Sequence, residues 1–230
     1  METNVKILTG ISDEEKGAYL SAIASIATAD SRATQTEIDH LTHLCEAADL
    51  SAEQQQLVLN AAMDPGGEGL LPALDLLKGT DLKYSLLTDL LAFAKSDGNY
   101  SEAEEHSVQK IADYLGVDET QFGLLDQVAQ NAHTTSNNSE QVSANGLLGS
   151  LGDKLKASGI DGGGLLKGLV SIAAPLIISK MMNRNNSNTN AGNTGLGGLL
   201  GGGGLGSLFS MLSGGKGMSG AGGLLGKIFG

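Results

Sequence analysis

Apolar residues return at helical spacing through the first part of the chain. Tyr19, Leu20, Ile23, Ile26 and Ala27 form one stripe, and Ile38, Leu41, Leu44, Cys45 and Ala48 form another. Further stripes are Leu86, Leu87, Leu90, Leu91 and Ala94; then Val108, Ile111 and Leu115; then Phe122, Leu125, Val128 and Ala129. Helix starts are marked by S/T-x-x-E/Q, in which a hydroxyl and an acid or amide satisfy each other's backbone amides: Ser12 with Glu15, Thr34 with Glu37, Ser51 with Gln54, and Ser101 with Glu104. Asp64-Pro65-Gly66-Gly67 interrupts the pattern, and Leu70 to Lys78 adds a short helix. The pattern predicts seven helices between residues 13 and 133 and no strand.

The stripes repeat. Ile23 matches Leu90, Asp30 matches Asp97, Thr34 matches Ser101, Glu37 matches Glu104, Leu41 matches Val108 and Leu44 matches Ile111, each pair 67 residues apart. Both copies read as apolar helix, Asp, short turn, hydroxyl cap, Glu and apolar helix. One duplication is too little for a solenoid and predicts a compact domain with a pseudo-twofold axis. The expected fold is all-α: a compact seven-helix domain at residues 1–133, a polar linker at 134–145, and a glycine-rich, partly helical tail at 146–230.

The tail begins with a short amphipathic piece, Leu147 to Ala157, and contains apolar segments at 165–182 and 195–214. The uncharged run from Gly168 to Ser179 is only 12 residues long, below the ~20 that a bilayer core requires. Extending it to Leu165–Met182 takes in Lys167 and Lys180, which would have to snorkel, and Pro175 would kink it. Eight of the twelve residues from Gly195 to Gly206 are glycine, which penalises an isolated helix there by roughly 8 kcal/mol. The same segment is too apolar for a solvated linker, so something must cover it. Small residues recur every four positions at Gly198, Gly202 and Gly206, and again at Gly222 and Gly226, the spacing on which helices pack closely. Dense glycine also yields such spacing by chance. Three readings stay open: membrane insertion or surface binding, helix packing in self-association or a multiprotein assembly, and enclosure by a larger complex.

Charge divides at the same place. Residues 1–145 carry 24 Asp/Glu against 7 Lys/Arg, a net of −17, whereas residues 146–230 carry 2 against 7, a net of +5. An acidic module without tryptophan is a poor nucleic-acid binder and favours a divalent cation or a basic protein surface. Cys45 is the single cysteine and reads as a core residue. The start METNVKILTGISDEEK lacks a basic, apolar leader, so the expected location is cytoplasmic, with membrane or complex association through the tail.

The stretch SDGNYSEAE, Ser96 to Glu104, concentrates the candidate chemistry. Counted from Asp97, Val108 falls where an EF-hand needs its bidentate Glu, so this is not an EF-hand. Glu37 and His40 have the E-x-x-H spacing of di-iron bundles, but the repeat supplies Glu104 and Ser107 there, with His106 out of register. Capping accounts for Glu37 and Glu104. It leaves Asp30 and Asp97, at the negative ends of the preceding helices, unexplained. Caps exposed to solvent and a hard-cation site both remain open readings. No histidine arrangement spells a catalytic triad or a zinc motif, and the G-x-G-x-x-G at 201–206 has no strand before it, which argues against an enzyme.

IATADSRATQTEIDHLTHLCEAADL and FAKSDGNYSEAEEHSVQKIADYLGV resemble the two half-motifs of TerB-like (tellurite-resistance B) domains over residues 13–133. The resemblance implies an all-helical fold, an acidic surface, and binding of a divalent cation, calcium or a similar ion, by Asp30, Glu37, Asp97 and Glu104. It also implies association with stress and metal resistance and with membrane-linked complexes. The first copy departs from the motif at Ser31-Arg32, where a guanidinium can neutralise a ligand. The expected function is therefore a non-enzymatic binding module tethered by its tail to a membrane or assembly. The alternative is a membrane-active, pore-forming effector carried by a soluble helical domain.

Overall fold

Two helices buried on all sides along most of their length occupy the centre. In α1 (Asp13–Ala27) every residue from Gly17 onward is buried, and in α5 (Leu82–Ala94) every residue but Lys83 is buried. A helix that is apolar all round must be enclosed by others. The computed structural model describes residues 6–29, 32–64, 66–95, 102–136, 151–170 and 219–229, excluding the side chains of 103, 104, 132–136 and 219–222. Around the central pair lie α2 (Gln35–Ala47), α3 (Ala52–Met63), α4 (Leu70–Lys78), α6 (Glu102–Leu115) and α7 (Glu119–Ser136). Helix α1 packs against α3 and α4, α5 against α6 and α7, and α1 against α5. The seven expected helices are present, and no strand occurs among the described residues. Helix α7 continues to Ser136, into the stretch read as linker.

The starts follow the capping signals. Ser12 with Glu15 and Thr34 with Glu37 form complete capping boxes, and Ser51 Oγ accepts the Gln54 amide at 3.3 Å. The helix ends differ from expectation. The caps of α1 and α5 are Thr28 and Lys95, each two residues before Asp30 and Asp97, which lie outside the described residues. Thr28 Oγ1 instead bonds back to the Ala24 carbonyl at 2.8 Å.

The 67-residue repeat runs further than its sequence signal. Leu41, Leu44 and Cys45 of α2 are buried at the same register as Val108, Ile111 and Ala112 of α6. Val58, Ala61 and Ala62 of α3 match Leu125, Val128 and Ala129 of α7. Even the turns correspond. Asp49 (φ 58°) and Gly116 (φ 71°) both adopt the left-handed conformation that ends α2 and α6. The following amides, Leu50 and Val117, reach back to Cys45 and Ala112 at 3.1 and 2.9 Å. Such turns favour glycine or a short polar residue, which is why different side chains serve at one position.

The described parts of the tail are covered by the chain's own domain, a cover the sequence reading did not anticipate. Helices α8 (Gly152–Ala157) and α9 (Gly162–Gly168) lie on α7 and α5, and α10 (Ser219–Phe229) lies on α6 and α1. Leu155, Leu165, Val170, Leu224 and Leu225 join the same hydrophobic core as α1 and α5. Leu224 lies over Gly67, and Phe229 meets the Tyr114 ring at 5.1 Å. The described residues on either side of 171–218 therefore both lie on the domain. No described helix is long and apolar enough to cross a membrane, and most of segment 165–182 and all of 195–214 lie outside the described residues.

Candidate functional site

Of the four expected cation ligands, the structure describes one side chain. Glu37 is buried at the start of α2, where its Oε2 accepts the Thr34 amide at 2.5 Å. A carboxylate accepting one hydrogen bond keeps lone pairs for other donors or a cation. Glu104 lies at the matching place in the first turn of α6, its side chain outside the described set; Asp30 and Asp97 are also outside it. Among the described residues no group of three or more His, Cys, Asp or Glu is arranged to hold a metal. Arg32, beside the first junction, is exposed, and Lys95, beside the second, pairs with Asp126 of α7.

His40 faces inward from α2 beside Leu41, at the register of buried Ser107 in α6. Its Nδ1 has no hydrogen-bond partner among the described residues. Burial lowers its pKa first and His43 adds to this, against smaller opposing effects of Asp39 and Glu37. Because the folded-state pKa lies below the ordinary value near 6.5, the unfolded chain takes the proton first and stability falls as pH drops from 6.5 towards the folded value. Thermal melts between pH 7.5 and 5.5 should show this loss, and His40→Leu should flatten it. Cys45 is fully buried, and burial pushes its thiol up to about 12, so it is an unreactive core residue.

Of the tail glycines proposed for packing, Gly198, Gly202 and Gly206 lie outside the described residues, and Gly222 is described only as part of α10. Gly226 is exposed, with nothing within 4 Å of where a Cβ would stand. Helix α10 packs through Leu224, Leu225, Ile228 and Phe229, which turns Gly226 outward.

A polar constellation that the motifs did not reveal sits in the middle of the domain. Asp89, on the central helix α5, is 1% exposed. Its Oδ2 accepts the Tyr19 hydroxyl of α1 at 2.6 Å and the Val170 amide of the tail at 3.0 Å. One turn earlier, Ser85 Oγ donates to the Leu165 carbonyl at 2.9 Å. At the start of α7, Gln121 Nε2 donates to the Ser158 carbonyl at 2.9 Å. Burial, reinforced by the neighbouring Asp89, drives the Tyr19 pKa well above its ordinary value, so the phenol stays a donor. The available sequence signal was Asp89 itself, the only acid in α5.

Comparison with curated proteins and with solved structures gave no significant match. The family model of the tellurite resistance protein TerB matches residues 16–127, which run from α1 into α7 and include both halves of the repeat. That family is one of non-enzymatic helical domains. With its all-helical architecture, its duplicated halves and this match over residues 16–127, the helical unit of the chain is a TerB-like domain.

Proposed function

We propose that the chain is a non-enzymatic binding module of the stress- and metal-resistance type. Its acidic helical domain takes a divalent cation at the two repeat-related helix junctions, and its glycine-rich stretch couples the domain to a membrane surface. The observation that carries this reading is the placement of that stretch. Residues 171–218 contain three Lys/Arg and no Asp/Glu, and both of their flanks are fixed to the domain. Apolar, weakly cationic sequence suits anionic lipid, whose headgroups attract the basic residues while leucines enter the acyl boundary. The domain's own acids are repelled by the same surface, which leaves the glycine-rich stretch as the part that engages it.

Asp30, Glu37, Asp97 and Glu104 offer only carboxylate oxygens, a donor set suited to a hard ion such as calcium, magnesium or manganese. A metal at 100 times its dissociation constant stabilises the folded state by about 2.7 kcal/mol, which in a chain of this length raises Tm by roughly 5–11 °C. Asp97→Asn should abolish the rise. No shift in excess calcium, magnesium or manganese would contradict the cation half of the proposal. Leakage of dye from vesicles separates surface coupling, which leaves vesicles sealed, from a pore-forming effector, which empties them.

A further inference from the structure

Residues 151–170 of the tail rest on α5 and α7, in the second half of the repeat, and the side chains that hold them are places where the two halves differ. Across the 67-residue offset, Ser85 corresponds to Ala18 and Asp89 to Ala22. In α1 these positions are apolar and bury against neighbouring helices. In α5 they carry the hydroxyl and the carboxylate that bind the Leu165 carbonyl and the Val170 amide. The same asymmetry shows on the outer helices: Leu124 of α7 is 7% exposed, whereas its counterpart Leu57 of α3 is 49% exposed. Burying a hydroxyl and a carboxylate in a central helix costs stability unless their hydrogen bonds are met. Here the strap's backbone helps meet them.

The three bonds described from the domain reach main-chain atoms: the carbonyls of Ser158 and Leu165 and the amide of Val170. Selectivity then comes from shape. A Cβ on Gly168 would stand 2.2 Å from Ser85 Oγ and 2.6 Å from Ser85 Cβ. Only glycine lets the backbone approach α5 this closely. Leu155, Ile160 and Leu165 supply buried apolar surface on either side of these bonds.

We propose that the α5–α7 face is a binding groove for a glycine-bearing apolar strap, that residues 151–170 are its ligand in cis, and that a seated strap withholds the apolar run beginning at Gly168 from lipid. The withholding rests on the membrane reading above; the groove does not. Leu169 and Val170, the first apolar side chains of the run, are already buried. Release would free the N-terminal flank of residues 171–218 while α10 still held the C-terminal one.

The test uses the full chain and two readouts: amide hydrogen exchange resolved along the sequence, and flotation with vesicles of phosphatidylglycerol and phosphatidylcholine. Gly168→Ala and Ser85→Ala should each speed exchange in 151–170 at least tenfold while α1–α4 stay protected, and should raise the floated fraction. Gly226→Ala, on an exposed surface, should change neither. Unaltered protection of 151–170 in Gly168→Ala overturns the groove. Lost protection with no gain in flotation overturns the withholding. If neither the wild type nor the released variant floats at all, the membrane reading fails, and the exchange data still decide the groove.

Discussion

Asp89→Ala should destabilise the chain by about 2–5 kcal/mol, because it leaves two buried donors, the Tyr19 hydroxyl and the Val170 amide, without their acceptor. In a protein of this size, that is a fall in Tm of roughly 5–15 °C. Asp89→Asn retains an oxygen acceptor and should cost less. Tyr19→Phe takes one donor from the buried carboxylate but leaves the Val170 amide bound, so it should also cost less than Asp89→Ala. Denaturant unfolding of the three variants checks this order. Equal losses in all three would mean that the hydrogen bonds do not govern the site. The order matters because Asp89 joins three parts of the molecule, α1, α5 and the tail, at one oxygen.

Leu90→Ala is the second large effect. Leu90 is fully buried in α5 and corresponds to Ile23 of α1 across the repeat, so both copies bury a large side chain at this position. Truncation there removes transfer free energy and leaves a cavity, at a cost of about 2–5 kcal/mol. Leu57→Ala is the control. It makes the same chemical change on a half-exposed face of α3 and should stay within about 0.5 kcal/mol. Chemical denaturation distinguishes the two, since a similar loss in both would contradict the burial assigned here.

The seven-helix domain was legible in the sequence because its signals are local. Ser12 and Thr34 form the boxes their spacing announces, and the stripes of α2, α5 and α6 face the core. The offset from Ile23 to Leu90 correctly related the halves. The match of α3 to α7 was harder to see, because Ala61 and Ala62 give weaker periodicity than the leucines of α5. The ends of α1 and α5 were misplaced because an Asp in a turn resembles a terminator, whereas the chain stops at Thr28 and Lys95.

The docking of the tail was not legible for a different reason. It depends on carbonyls and an amide of the tail, which every residue possesses, and on the absence of a side chain at Gly168. Neither leaves a pattern in a segment already rich in glycine. Ser85 and Asp89 carry the information, but only when set beside Ala18 and Ala22. For the candidate cation site, Glu37 was correctly read as a cap, and capping leaves the carboxylate able to serve a second role.

The most direct test of the account compares the full chain with a variant in which residues 171–218 are replaced by a short Gly/Ser linker, leaving α8, α9 and α10 in place. Both proteins are floated with phosphatidylglycerol-containing vesicles and with neutral vesicles. The account predicts that the full chain floats with the anionic vesicles and that the replaced chain stays at the bottom of the gradient, folded and helical. Equal flotation of both, or no flotation of the full chain with either lipid, would contradict a membrane-coupling role for the glycine-rich stretch.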